Sequence, residues 1–388
     1  MEAADRELLE RHVPLLRYDS QAAYRALAAS AATDWIGNRL RGNDGRTAAI
    51  RGGEPELELS TLSGYPDAAA AQRGDRLDFR PDHLTATQAF QADAAYVDRA
   101  YGRVVRGGEL TWLQYWFFYY YNPHALLGFA RHEGDWEMVQ VGLGSDLEPR
   151  AVTFAQHTFG QGLDWDESER HPGPDGGHPV VYVAPLSNAS YPEGGTFPYL
   201  GGVDHPRGDG DEVLPAVEEF GPWVDWPGRW GNSAGVLGGR LGGASPESPG
   251  RQGRQRWSDP DAFHAHWRRA SAGRSLRALL AVLALGPRPP APDFNAALEG
   301  DVTVVRYRLP GGPIGRGRLI YVTVHDADAP ERALGRAGRR GLLAEGTLHV
   351  HLRAPSDRAL VRATCFSPRH ARSEVAERIV IRTGTGSG

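Results

Sequence analysis

The chain has 388 residues and a formal net charge of −5, which predicts no strong attraction to nucleic acid or to an anionic membrane surface. All 43 basic residues are arginine, so a Schiff-base lysine and a phosphate-loop lysine are excluded. The single cysteine, Cys365, excludes disulfides within the chain, iron–sulfur clusters and cysteine-rich zinc sites.

The composition favours a mainly β protein. The chain contains 49 Gly and 28 Pro, and short β-branched and aromatic runs lie between them. We therefore expect a β-sandwich with long Gly/Pro-rich loops and a few helices. The first residues are charged and lack the apolar core of a signal peptide, and no run of about 18 apolar residues predicts a transmembrane span. These features predict a cytoplasmic protein.

The predicted elements begin with a short helix and a strand within the first 20 residues. Residues 109–122, "ELTWLQYWFFYYYN", predict a strand that is buried on both faces. Three more strands are predicted after it, at 135–143, 150–158 and 178–186. Residues 258–285 predict one or two helices, with Ser258 as the N-cap.

A proline-rich segment predicts a division into two domains. Residues 286–292, "GPRPPAP", have the composition of a stiff linker. It separates a β-sandwich domain with a terminal helical segment, residues 1–285, from a small β domain, residues 293–388. Five strand-like runs in the second part predict a five-stranded fold.

One motif in the first domain combines a strand pattern with charge. In "RHEGDWEMVQVGL" (131–143), side-chain alternation places Asp135 and Glu137 on the face of Val139, roughly 6.6 Å apart along the strand. Buried carboxylates are costly unless a positive charge offsets them. The residues alone leave three arrangements open: Arg131 neutralises the acids, a divalent cation with His132 does so, or the acids reach solvent at the strand end.

Other motifs favour ordinary structural roles. His349 and His351 share a strand face at a spacing that metal sites use, but their neighbours on that face, Thr347 and Arg353, favour an ordinary solvent-exposed face. Residues 204–212, "DHPRGDGDE", lack the ordered ligand spacing of a calcium loop and predict a solvated loop.

Six sequence blocks resemble the vacuolar protein sorting protein 62 family, in its bacterial branch. They occur in the order found in that family and cover roughly residues 110–260: "LQYWFFYYYN", "HEGDWEMVQV", "FAQHTFGQG", "HPVVYVAPLSNASYP", "GRWG" and "SPGRQGRQRW". The resemblance implies no particular biochemical activity.

The His-x-x-Asp-Trp-Glu pattern of residues 132–137 is similar to the signature of necrosis- and ethylene-inducing toxin proteins. Those proteins are β-sandwiches that hold a divalent cation at the rim of a cavity. The resemblance implies His132, Asp135 and Glu137 as metal ligands, with Mg²⁺ or Ca²⁺ expected and Mn²⁺ or Zn²⁺ as alternatives. The toxins have a further aspartate upstream, where this chain offers Asn122 or His124. Asn188 stands where members of the sorting family commonly have histidine.

Two functions are compatible with such a site. The first is a binding module for a small molecule, a glycan or a lipid headgroup. Its stacking surfaces would come from Trp136, Trp165, Tyr191 and Trp230, with Trp226 as a further candidate, although at least three of these five residues are expected to belong to the core. The second is a metal-dependent enzyme of the hydrolase or lyase type, with His157 as general base and Glu133 as a further acid. The sequence narrowly favours binding and leaves the oligomeric state open.

Overall fold

The computed structural model describes most of the chain. It covers residues 1–20, 22–64, 74–123, 131–157, 159–173, 177–199, 202–233, 245–270, 290–309, 319–330, 333–340, 345–352, 354–366, 373 and 375–382. Helices of the amino-terminal part are α1 (Ala3–Arg11), α2 (Ala31–Asp34), α3 (Thr61–Gly64), α4 (His83–Ala92), α5 (Arg254–Ser258) and α6 (Pro260–Ala270). Its strands are β1 (Leu15–Tyr18), β2 (Arg39–Arg41), β3 (Thr47–Ile50), β4 (Arg76–Asp78), β5 (Arg99–Val105), β6 (Thr111–Asn122), β7 (His132–Leu143), β8 (Pro149–Gln156), β9 (Phe159–Asp164), β10 (Arg170–His171), β11 (His178–Val183), β12 (Ser190–Tyr191), β13 (Phe197–Tyr199), β14 (Gly202–Asp204), β15 (Glu212–Val213) and β16 (Ala216–Glu219).

Two sheets of this part face each other across an apolar core. The larger sheet has the strand order β16-β5-β6-β7-β8-β9 and is antiparallel except where β16 joins β5. The facing sheet has the order β10-β11-β1-β15, with β12 paired to β11. Leu16, Val181 and Val183 of the facing sheet belong to the core between them. The predicted β-sandwich is therefore confirmed.

The outer face of the larger sheet is also covered. A second apolar core packs there, to which β2, β4, α4, α6 and the tryptophans of the segment 223–230 contribute. Strands β6 and β7 therefore have apolar cover on both faces, which explains why ten of the twelve residues of β6 are buried. This confirms the prediction for residues 109–122.

The carboxy-terminal part forms a second, smaller pair of sheets. Its strands are β17 (Asp293–Glu299), β18 (Val302–Arg308), β19 (Leu319–Asp326), β20 (Ala333–Arg340), β21 (Glu345–His351), β22 (Arg358–Phe366) and β23 (Ala376–Ile381). They form the sheets β17-β18-β21 and β20-β19-β22-β23 around a separate apolar core. The described residues thus contain two strands more than the five predicted. "DFNAALE" and "ALGRAGRR" escaped prediction because neither contains a β-branched residue.

The two parts contact each other through α4. Its Gln88 donates a hydrogen bond from Nε2 to the backbone carbonyl of His349 in β21, at 2.7 Å. The predicted division into two domains stays a prediction, and residues 286–289 of the expected linker lie outside the described residues.

The helices near residue 258 differ from the prediction in one detail. Ser258 ends α5, and the residue that caps α6 is Asp259, whose Oδ1 accepts a hydrogen bond from the Ala262 amide at 3.0 Å. Residues 271–285 of the predicted helical segment lie outside the described residues. Across the part of the chain that the structure describes, no helix is long and apolar enough to cross a membrane.

Candidate functional site: a buried acidic cluster beside a cleft

The side-chain alternation predicted for residues 135–143 is confirmed. Every residue of β7 is buried. Val139, Val141 and Leu143 lie in the core between the two sheets, and Trp136 lies in the core on the outer face. Asp135 and Glu137 therefore point with Val139 into the space between the sheets.

Asp135 is held by two amide side chains. Its Oδ2 accepts hydrogen bonds from Nδ2 of Asn122 at 2.8 Å and from Nδ2 of Asn188 at 3.1 Å. Asn122 lies on the neighbouring strand β6, opposite His132. Asn188 has a left-handed backbone with φ of +59°, a conformation that asparagine tolerates better than most residues. Asn122 and Asn188, which the sequence placed at the site, both stabilise the Asp135 carboxylate.

Glu137 is the least satisfied group of the cluster. It is 4 % exposed, and its Oε2 has no hydrogen-bond partner among the described residues. Burial raises the pKa of the Glu137 carboxyl well above its usual range, and the negative charges of Asp135 and Asp204 raise it further. The positive charge of Arg256 acts in the opposite direction.

The positive charge beside the acids is Arg256. Burial lowers the pKa of the Arg256 guanidinium, while the charges of Glu137 and Asp135 raise it. Arg256 Nη2 donates a hydrogen bond to the backbone carbonyl of His157. This bond holds the guanidinium next to the end of β8. The sequence-based alternative named Arg131, and this is corrected: Arg131 lines a different cavity. Arg256 lies 119 positions after Glu137, so sequence proximity could not identify it.

His157 belongs to a second polar group next to the acids. Its Nε2 lies 2.9 Å from Oδ2 of Asp204, and the Tyr191 hydroxyl donates to the same oxygen at 2.7 Å. His157 has a left-handed backbone with φ of +51°. Asp204 ends β14 and is 2 % exposed, so the prediction of a solvated loop is wrong for this residue. No local sequence signal distinguishes Asp204 from the acidic residues that follow it.

His132 is oriented by a backbone carbonyl. Its Nδ1 lies 2.7 Å from the carbonyl oxygen of Gly134, and because a carbonyl only accepts, Nδ1 carries the hydrogen. In the neutral ring, Nε2 then holds the lone pair, the form in which histidine binds metals. Gly134 has φ of +59°, and a Cβ there would lie 2.1 Å from the Trp230 carbonyl oxygen. This position therefore requires glycine.

Three partners hold the Glu133 carboxylate. Its Oε2 accepts from the backbone amides of Phe79 at 2.9 Å and Asn232 at 2.8 Å, and its Oε1 lies 2.9 Å from Nε2 of His83. The ring of His83 in turn stacks on Tyr121 at 4.5 Å. Glu133 therefore connects β7 to α4 and to the segment near residue 232, and its role as a further acid stays a prediction. His83 was not identified from the sequence.

The four aromatic residues that were expected to stack on a ligand are core residues. At most 5 % of each of these residues is exposed: Trp136, Trp165, Tyr191 and Trp230. Their rings pack against other apolar side chains of the two cores and the β12 region, so the predicted stacking role is corrected to a packing role.

A cleft of about 700 Å³ lies beside His157 and Arg256. Gln252, Gln255 and the half-buried Trp267 also line it. Within the described residues, three or more His, Cys, Asp or Glu side chains are nowhere gathered closely enough to hold a metal ion. His124, the other candidate for an upstream ligand, lies outside the described residues.

Comparisons with known proteins give distant structural likenesses. No protein-family model and no curated protein matches the chain, so the resemblance to the vacuolar protein sorting protein 62 family gains no support here. Among solved structures, the necrosis- and ethylene-inducing protein 2 from the causal agent of cocoa's witches' broom disease is similar at 16 % identity and a TM-score of 0.28, over 57 % of this chain and 76 % of that one. NLPPya in complex with mannosamine, of the same toxin class, is similar at 14 % identity and a TM-score of 0.27, over 56 % and 86 %. At these values the comparisons assign no ligand or role to this chain.

Proposed function

We propose that the chain is a divalent-cation-dependent binding protein for a small polar ligand, such as a glycan or a lipid headgroup. The observation that carries this proposal is the Glu137 carboxylate, which is buried beside Asp135 and Asp204 with one oxygen unpartnered among the described residues. Three carboxylates around one arginine leave negative charge that a cation would offset.

The donor chemistry fits a cation such as Mg²⁺ or Ca²⁺. His132, Asp135 and Glu137 would hold it, since carboxylate oxygens and an imidazole Nε2 are ligands that these ions or Mn²⁺ accept. The cation is supported by the negative charge of the buried carboxylates and by the unpartnered Oε2 of Glu137. Within the described residues, the ligands are not already gathered around an ion position. A bound cation would present a positive charge to the hydroxyl or phosphate oxygens of a ligand.

The cleft offers the contacts that a polar ligand with an apolar face requires. Trp267 supplies an aromatic surface, and Gln252, Gln255 and Arg256 supply hydrogen-bond donors. Trp267 thus takes the place of the four aromatic residues that proved to be buried. Its helix, α6, packs against β9, so the ring is fixed relative to the sheet that carries the acids.

The cation is tested by thermal unfolding with a chelator. EDTA should lower the Tm of the wild-type protein, and Mg²⁺, Ca²⁺ or Mn²⁺ should restore it, because an ion that binds only the folded state stabilises it. Glu137→Gln should fold and lose this response. The exposed Glu148→Gln removes the same charge from the end of the β7–β8 turn and should keep the response. The proposal is contradicted if neither EDTA nor the added ions change the Tm of the wild type.

The ligand is tested by calorimetry with glucose, mannosamine and phosphocholine in the presence of Ca²⁺. Trp267→Ala should weaken the binding of whichever probe is bound by about tenfold, while Trp267→Phe should retain most of it, because the aromatic face is what matters. Absence of binding for all three probes at millimolar concentration counts against a ligand of this class, and equal effects of the two substitutions count against stacking.

A metal-dependent enzyme of the hydrolase or lyase type is the second candidate. It is favoured by the His157–Asp204 pair, because an aspartate that orients a histidine at the edge of a cleft is an arrangement that general bases use. His157→Gln would then abolish turnover of an ester or glycoside probe without weakening its binding. If the wild type binds the probe without turning it over, the enzyme is contradicted and only the binding function remains.

A further inference from the structure

A second cavity, distinct from the cleft at Trp267, lies where the two parts of the chain meet. Its volume is about 870 Å³, within the range of small-molecule sites. The first turn of α4, the start of β7 and the exposed face of β21 line it, with His83, Arg131, His132, Asn232, His349 and His351 among the residues. The residues that line this cavity come from both sandwiches.

The wall of this cavity is rich in hydrogen-bond donors that favour negative charge. Arg131 contributes a guanidinium, and His349 and His351 project side by side from β21 because they are two residues apart on one strand. Both histidines are exposed, and Thr347 on the same face adds a hydroxyl. The face that the sequence interpreted as ordinary solvent-exposed surface is therefore one side of a cavity.

Two acids also line the cavity, and each has hydrogen-bond partners of its own. The Glu133 carboxylate accepts from two backbone amides and lies 2.9 Å from His83 Nε2, and the exposed Asp82 at the N-cap position of α4 accepts from the Trp35 indole. The stack of His83 on Tyr121 adds a flat aromatic side to the cavity. A ligand that fits would thus carry an oxyanion near Arg131 and the two histidines, with a less polar part against the rings.

We propose that this cavity binds a small anionic molecule through a phosphate or carboxylate group, held by Arg131, His349 and His351. Such a ligand would connect the amino-terminal sandwich, through Arg131, to the carboxy-terminal sandwich, through β21. None of these three residues is a proposed cation ligand, and His132, which is one, also lines the cavity.

The test is calorimetric titration of the full chain with inorganic phosphate, citrate and glucose at constant ionic strength. Phosphate or citrate should bind at one site and glucose should not compete for it, and the tighter of the two anions identifies the oxyanion. The double variant His349→Gln/His351→Gln, and separately Arg131→Gln, should weaken this binding at least tenfold. These side chains are partly or fully exposed, so the variants should fold.

Two controls make the outcome decisive. Arg306→Gln removes an exposed charge from β18 of the same sandwich, outside the cavity, and should bind the anion like the wild type. EDTA should also leave anion binding to the wild type unchanged, which separates this site from the proposed cation site. The inference is overturned if neither anion binds at millimolar concentration, if the cavity variants bind as tightly as the wild type, or if Arg306→Gln loses as much affinity as they do.

Discussion

Glu137 determines the pH dependence that we expect of the metal-free protein. Its folded-state pKa is raised, mainly by burial, above the value near 4.3 of an exposed glutamate. Between the two pKa values the folded chain holds a proton on Glu137 that the unfolded chain releases. The contribution of the protonated Glu137 to the free energy of unfolding is therefore fully present below about pH 4.3 and is lost as the pH rises toward the folded pKa.

This behaviour is measurable by urea unfolding in EDTA between about pH 5 and 8. The free energy of unfolding of the wild type should fall with pH by up to about 1.4 kcal/mol per unit more steeply than that of Glu137→Gln. Parallel pH profiles for the two proteins would show that Glu137 is ionised throughout this range and that Arg256 offsets its charge.

Asn188 combines a hydrogen bond with a left-handed backbone, and two substitutions separate the two effects. Asn188→Gly keeps the φ of +59° and removes the donor to Asp135, which should cost about 1–3 kcal/mol in urea unfolding. Asn188→Ala removes the donor and adds strain of about 1 kcal/mol. If the glycine variant is as stable as the wild type, the amide does not stabilise Asp135.

The sequence predicts those features of the site that depend only on residues close together in the chain. The alternation of β7 places Asp135 and Glu137 on one face, and this needs no knowledge of the rest of the chain. Arg256 and Asp204 reach the cluster only through the packing of distant segments, and no local pattern marks them. The same holds for His83, which meets Glu133 across 50 positions.

Among the elements, long strands with strong patterns were predictable and short or atypical ones were not. β6 carries a dense aromatic run and β7 has aliphatic residues at alternate positions, whereas β17 and β20 consist mostly of small and polar residues whose partners complete the sheets. Core positions were expected for at least three of the five candidate aromatic residues, but the sequence could not say which, because a second core on the outer face of the sheet is a property of the tertiary structure.

Strand β7 depends on Gly134 for its entry into the sheet. Gly134→Ala should cost about 4 kcal/mol or prevent folding, since it adds left-handed strain and a clash with the Trp230 carbonyl oxygen. Gly300→Ala is the matched control, because Gly300 has φ of +62° with nothing within 4 Å of the added Cβ, so only about 1 kcal/mol of strain is expected. Equal losses of stability in urea unfolding would mean that the contact with Trp230 is relaxed in solution.

For the whole molecule, the division into two domains can be tested by limited proteolysis. The linker composition of residues 286–292 and the separate apolar core of the carboxy-terminal strands predict first cleavage near residues 286–295, with two folded fragments. Mass spectrometry of the fragments and their circular dichroism provide the measurement. A chain that resists cleavage there and unfolds in one cooperative step would contradict the division.

The central claim is that a divalent cation offsets the charge of the buried acids, and calorimetric titration of metal-free protein with Mg²⁺, Ca²⁺ and Mn²⁺ at several pH values tests it most directly. We expect one site, with an affinity that rises with pH because the cation displaces the proton of Glu137, and with binding abolished in Glu137→Gln. The absence of binding for all three ions, or an affinity that Glu137→Gln leaves unchanged, would contradict the account.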